Sequence, residues 1–102
     1  MAKCKITILK RDFYQEMVDL CPEEIRKRIL GPCEVFQEGQ EFIVSPFTEL
    51  PQGFCPWAWD DIFKTIALLT EDNTQGTCII ACCTDGTRPV TFKIENIILA
   101  VD

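Results

Sequence analysis

The chain has 102 residues, 47% apolar and 25% charged, an ordinary globular composition that supports one core but not two, so a single domain over residues 1–102 is expected. Asp and Glu number 16 against 10 Lys and Arg, for a formal charge of -6, which argues against nucleic acid as a partner, since binding a phosphate backbone needs a basic face. No apolar run approaches a membrane span, and the apolar stretch before Lys10-Arg11-Asp12 is too short for a secretory leader, so a cytoplasmic protein outside the membrane is expected.

Seven cysteines and no histidine are the unusual feature. Cytoplasmic thiols stay reduced, and an odd count with irregular spacing argues against a disulfide framework.

In chain order, residues 3–10 alternate, with Cys4, Ile6 and Ile8 on one face and Lys3, Lys5 and Thr7 on the other, as in a strand with one buried side. Cys4 is then a small core residue. Residues 13–21 place Phe13, Met17 and Leu20 (or Cys21) at helical spacing, with Asp12 as N-cap. Cys21-Pro22 breaks that helix. Residues 22–30 begin with Glu23 and Glu24 and continue with Arg26, Lys27 and Arg28, the charge order a helix dipole favours, before Gly31-Pro32 stops them. Val35-Phe36, a Glu38-Gly39 turn, and Phe42 with Val44 predict two short strands, the second ended by Pro46. Residues 45–56, with three prolines and a glycine, read as a surface loop that delivers Cys55.

From Pro56 the pattern is helical to about Thr70, with Trp59, Ile62, Phe63, Ile66 and Leu69 as its stripe and Lys64 outside. Asp60 and Asp61 are adjacent, diverge by about 100° and read as first-turn charges. A polar run from Glu71 to Gly76 leads to a hairpin over residues 77–95, and Ile97 to Val101 form a last apolar run. For the hairpin, a two-residue Asp85-Gly86 loop would place Pro89, which has no N–H, in a hydrogen-bonded pair. A four-residue loop from Thr84 to Thr87 avoids that, pairing Cys83 with Arg88 and Cys82 with Pro89. Ile79, Ala81 and Cys83 then share a face with Val90 and Phe92, while Cys78, Ile80 and Cys82 lie on the other. The predicted fold is α+β: a small, mainly antiparallel sheet of about five strands, a short helical N-terminal segment, and the helix over residues 56–70 packed on one face.

Cys33, Cys55, Cys82 and Cys83 all sit where regular structure ends, the usual place for ligand or reactive thiols. Four thiolates suit a zinc site or an iron-sulfur cluster. Against that, no Cys-x-x-Cys spacing occurs, alternation turns Cys82 and Cys83 to opposite faces, and Cys78 and Cys82 lie about 13 Å apart along a strand. The plain alternative is that most of these thiols are packing residues. Cys55 ahead of a helix and Cys83 opposite Arg88 are candidate nucleophiles, although a chain without histidine excludes a Cys-His mechanism. A vicinal Cys82-Cys83 disulfide would be strained and easily reduced, as a switch requires. Trp57 and Trp59 either anchor the helix or offer one indole to a groove or a protein partner. Arg88 pairs either with Asp85 or with an anionic ligand. Trp57 and Arg88 are therefore the candidate cofactor-binding side chains.

The segments Gly31-Pro32-Cys33, Glu38-Gly39-Gln40-Glu41-Phe42, Gly53-Phe54-Cys55 with Trp57-Ala58-Trp59-Asp60-Asp61-Ile62, and Ala81-Cys82-Cys83-Thr84-Asp85-Gly86 with Arg88-Pro89-Val90 resemble an uncharacterised family of small repeat proteins, common in anaerobic bacteria and archaea, although no internal repeat is visible here. The likeness runs from Lys3 to Glu95. It implies that Cys33, Cys55, Cys82 and Cys83 belong to a shared pattern and Cys4, Cys21 and Cys78 do not, and an anaerobic setting favours an oxygen-sensitive iron-sulfur site. The leading expectation is a non-catalytic metal or iron-sulfur accessory or electron-transfer domain. A thiol-dependent enzyme or redox switch at Cys82 and Cys83 is the alternative, and a protein interaction module the third.

Overall fold

A computed structural model describes residues 2–45, 49–72 and 77–98. Its centre is β1 (Ala2–Arg11), hydrogen-bonded on one side to β2 (Glu41–Val44) and on the other to β4 (Val90–Ile98), with β3 (Cys78–Cys82) outside β4. All pairs are antiparallel, and the strand order is β2-β1-β4-β3. The remaining elements are two single turns, α1 (Gln15–Val18) and α2 (Glu23–Arg26), and the long helix α3 (Pro56–Asp72). The α+β class, the antiparallel sheet and the long helix thus match the sequence expectation, with four strands rather than five among the described residues.

The alternation read from β1 sorts its residues correctly. Cys4, Ile6 and Ile8 are buried, opposite inward-facing Asn96, Ile94 and Phe92 of β4 and, for the first two, Val44 and Phe42 of β2. Residues opposed across an antiparallel pair share a face, so one side of the sheet becomes a continuous apolar surface. Helix α3 covers it with Ala58, Ile62, Ile66 and Leu69, all at most 3% exposed. That face is rotated slightly from the predicted stripe, and Phe63 is left 38% exposed. On the opposite side Lys5 reaches Glu41 and Glu95, each at 3.8 Å, and Lys93 reaches Glu95 at 3.6 Å.

Six aromatic residues close the end of the core where α3 begins. Phe54 lies 4.9 Å from both Phe36 and Phe42, 5.8 Å from Phe92 and 5.7 Å from Trp59 between ring centres. Phe63 continues the chain of rings at 5.7 Å from Trp59. Phe36 therefore contributes as a buried ring from an irregular segment, not from the strand expected at Val35-Phe36. Its segment is docked by the turn after it, where Gly39, at φ +86°, donates to the Ile8 carbonyl at 2.8 Å.

Four further expectations are corrected. The first helix shrinks to one turn because pairing with the strand beside it runs on past β1: Asp12 N–H donates to Pro89 O at 2.9 Å and Tyr14 N–H to Thr87 O at 2.8 Å. Asp12 is thus not a cap. Tyr14 occupies the N-cap position without a side-chain bond, and Val18, rather than Met17 or Leu20, is the buried residue. Residues 22–30 form only α2, which buries nothing. A charge order that suits the dipole does not sustain a helix without an apolar face to pack. The hairpin register is shifted by two from the expected one, with Cys82 opposite Thr91 and Cys78 opposite Glu95. Because side chains alternate with period two, an even shift keeps every residue on its expected face. Helix α3 runs two residues beyond Thr70, while the expected stop at Pro46, most of the polar run before the hairpin and the end of the last apolar run lie outside the described residues.

Asn96 is the one polar side chain in the inward row of β4. Its Nδ2 donates to the Leu69 carbonyl at 2.6 Å, in the last turn of α3, where carbonyls lack helical partners. Truncating Phe54 to Ala removes the ring common to four of these aromatic contacts and is expected to lower stability by about 3–5 kcal/mol, whereas Ile25→Ala on α2 stays within about 0.5 kcal/mol of the parent. Urea denaturation of both variants measures the difference.

Candidate thiol site

All seven cysteines are free thiols, and the sheet sorts them into distinct environments. Cys4 is fully buried on the helix side, with its Sγ 3.9 Å from the Ile66 carbonyl. Burial pushes its thiol up to about 11, as desolvation disfavours the charged form. Cys78 and Cys82 are exposed on the opposite side of the sheet. Cys33, Cys55 and Cys83 are half-buried and all pack against the hydrophobic core.

These last three come from three separate segments, held around one end of the sheet by polar contacts. Register shifts by one residue between Ile8 and Lys10 of β1, so that Lys10 faces Thr91 and Arg11 faces Val90. The extra residue is a β-bulge. Without it Lys10 would stand opposite inward-facing Val90; with it, Arg11 takes that place and turns to the helix side. Its Nη1 donates to the Cys33 carbonyl at 2.8 Å, and its Nε to Glu38 Oε1 at 3.1 Å.

Val90 also holds Cys83. Cys83 N–H donates to Val90 O at 3.1 Å, and Val90 N–H is directed at Cys83 Sγ at 3.4 Å. The following residue, Thr84, binds the start of α3: Trp57 Nε1–H donates to Thr84 Oγ1 at 2.6 Å, and Asp61 Oδ2 accepts the Thr84 N–H at 2.8 Å and its hydroxyl at 3.1 Å. Trp57 and Asp61 stand four apart, on one face of the helix. Just ahead of them, the Cys55 carbonyl accepts the Trp59 N–H at 2.9 Å. An unbroken series of contacts therefore runs from Cys33 through Arg11, Val90, Cys83 and Thr84 to the turn that carries Cys55.

The connection from Cys83 to Pro89 is closed by a side chain instead of a ladder. Asp85 Oδ1 accepts the Thr87 N–H at 3.0 Å, the Thr87 hydroxyl at 2.7 Å and the Arg88 N–H at 3.4 Å, and Arg88 Nε lies 3.7 Å from Oδ2. One carboxylate thus satisfies donors that a tight turn would have placed in the sheet, which is why the ladder stops earlier than the loop residues suggested. Pro89 falls outside it and contributes only its carbonyl. Partial burial works against the charge on Asp85, but the hydrogen bonds from Thr87 and Arg88 and the Arg88 charge outweigh it and hold the carboxyl below its ordinary range.

Of the four cysteines expected to act together, Cys33, Cys55 and Cys83 border the same end of the core and Cys82 faces away. Among the described residues no three Cys, Asp or Glu side chains converge into a set that could hold a metal ion. The two candidate cofactor-binding side chains have internal partners: Arg88 has Asp85, and Trp57, although 53% exposed, has Thr84. Asp61, read as a first-turn charge, is instead the acceptor for Thr84. No sequence signal marks Arg11 or the bulge that turns it inward, and Thr84 reads only as a loop boundary; the four-residue spacing of Trp57 and Asp61 is the one local sign that both could meet a common partner.

Native-state titration with a disulfide dye is expected to show a fast class containing Cys78 and Cys82, each removed by its Ser substitution, with Cys4 reacting only on unfolding. Because the folded carboxyl of Asp85 titrates below the unfolded value of about 4, its stabilising contribution is complete above that pH and is lost as pH falls through the folded value. The stability difference between the parent and Asp85→Asn, from urea denaturation, should therefore be greatest near neutrality and shrink below about pH 4. No protein-family model, curated protein or solved structure matches the chain, so the thiol site is defined by its own geometry alone.

Proposed function

We propose that the chain is a small non-catalytic domain whose Cys33, Cys55 and Cys83, which do not converge on one point in this structure, would be drawn together around a soft metal centre, an iron-sulfur cluster or zinc, and that it serves as an accessory or electron-transfer partner to another protein. The observation that carries this reading is the N–H of Val90 directed at Cys83 Sγ at 3.4 Å. Backbone N–H groups aimed at sulfur are a principal means by which proteins support and tune metal-bound thiolates. Three features add to it. The three thiols are half-buried and pack against the hydrophobic core. Soft thiolates are the donor class that selects zinc and iron-sulfur centres. The resemblance of the Gly-Pro-Cys and Ala-Cys-Cys-Thr-Asp-Gly segments to small proteins of anaerobes suits an oxygen-sensitive centre.

In this reading Cys82 is not a ligand from the same copy, since reaching the site would require β3 to rotate its last residue through the sheet. Cys33 and Cys55 belong to irregular segments and would be the ligands that adjust to a metal, whereas Cys83 is fixed by Val90. Arg11 holds the backbone carbonyl of Cys33, and Asp61 holds the backbone N–H of Thr84, the residue after Cys83.

Protein purified without oxygen, or supplied with iron and sulfide or with zinc under reductant, tests the proposal by elemental analysis and visible absorption. About one centre per chain is expected, lost in Cys33→Ser, Cys55→Ser and Cys83→Ser and retained in Cys82→Ser and Cys78→Ser. A protein that takes up neither metal, or a Cys82→Ser variant that loses as much as Cys83→Ser, overturns it.

A further inference from the structure

Strand β3 ends the sheet on one side, and its outer edge has no partner among the described residues. Asn96 N–H donates to Thr77 O at 2.8 Å and Cys83 N–H to Val90 O at 3.1 Å, which fixes the alternation of the ladder between them. Ile79 and Ala81, like Thr77 and Cys83, turn their backbone groups inward to β4. Cys78, Ile80 and Cys82 turn theirs outward, leaving a row of N–H and C=O groups on the free edge.

Proteins usually blunt such an edge with a charge, a proline or a bulge. The strand Cys78-Ile79-Ile80-Ala81-Cys82 has none of these, although the chain as a whole carries a charge of -6. The other edge, β2, is shorter and carries Glu41. At β3, moreover, apolar side chains are exposed on both faces of the sheet: Ile79 is 39% exposed on the helix side and Ile80 is 58% exposed on the other. Lys93 and Glu95, the nearest charges on β4, are paired with each other at 3.6 Å, so the acidic excess of the chain is not presented at this seam.

The strand is also complementary to itself. Turned about a twofold axis through Ile80, an antiparallel copy sets Cys78 opposite Cys82 of the partner subunit, Ile79 opposite Ala81 of the partner subunit, and Ile80 opposite its own equivalent. The three residues whose backbone groups point outward then meet three whose groups point back at them. Opposed residues share a face, so the helix side continues into the helix side, and Ile79 and Ile80 each gain an apolar neighbour where each is now exposed.

We propose that two copies of this chain pair edge to edge through β3, in this register, joining two four-stranded sheets into one. The pairing is independent of the thiol site, because Cys78 and Cys82 lie on the face away from it. A five-residue edge buries less than the roughly 1,200 Å² of a stable interface, so the dimer dissociates on dilution and does not behave as a permanent one.

The test is sedimentation of the reduced protein over a concentration series, together with cross-linking by a short bis-maleimide. A monomer–dimer equilibrium is expected for the parent and for Ile43→Lys on the β2 edge, and a monomer at every concentration for Ile80→Lys. Since both links in the proposed register join Cys78 to Cys82 of the partner subunit, either Cys78→Ser or Cys82→Ser alone should abolish the cross-linked dimer. A parent protein that is monomeric throughout, an Ile80→Lys variant that still associates, or cross-links that survive both single substitutions overturns the proposal. So does binding of an extended peptide from another protein at this edge without self-association.

Discussion

The packing of Phe54 against Phe36, Phe42, Phe92 and Trp59 is the contact on which the arrangement of the molecule depends. Phe92 belongs to the central sheet and Trp59 to the long helix, whereas Phe36 and Phe54 come from irregular segments with no ladder of their own. Rings that meet edge to face add to the area they bury, and here they do the work that hydrogen-bonded strands do elsewhere. Cys33 lies three residues before one of these loop-borne rings and Cys55 directly after the other. Cys33 and Cys55 are consequently placed by the same contact that closes the core, while Cys83 is held by Val90.

Polar contacts then align the pieces that the rings bring together. The bulge at Leu9 exchanges a lysine for an arginine on the helix side of the sheet, and that arginine reaches the backbone of Cys33. On the far side, Thr84 sits between Trp57 and Asp61 and fixes the hairpin to the start of α3. Neither contact is deeply buried, so each contributes modestly to stability by itself. Their effect is geometric: they fix where the segments carrying Cys33, Cys55 and Cys83 stand relative to one another.

The two faces of the sheet have different characters. One is covered by α3 and carries the core, the buried Cys4 and, at one end, the three half-buried thiols. The other carries the Lys5, Glu41, Glu95 and Lys93 network and the exposed Cys78 and Cys82. Strand alternation makes the separation unavoidable for Cys82 and Cys83, neighbours in the chain and opposite in space. The proposed metal centre on the helix side and the proposed association edge formed by Cys78-Ile79-Ile80-Ala81-Cys82 would therefore share no ligand.

Local periodicity by itself determined the α+β class, the β1 core face, the long helix from Pro56 and the sorting of the hairpin residues between faces, because period two and period 3.6 are properties of consecutive residues. Asp85 as the acceptor for Arg88 was also legible, since the two are close in the chain. Tertiary structure decided the rest. Residues 13–21 keep one helical turn because backbone pairing runs on past β1 to Tyr14, and residues 22–30 keep one because α2 buries nothing; whether Phe36 sits on a strand depended on distant rings that bury it without one. The hairpin register turned on a side chain closing the loop, and the packing of Cys33, Cys55 and Cys83 against the core while Cys82 faces away turned on strand alternation, a bulge and contacts between segments far apart in sequence. Spacing along the chain carries no measure of such distances, so cysteines alike in local context part company only when the sheet assigns each one a face.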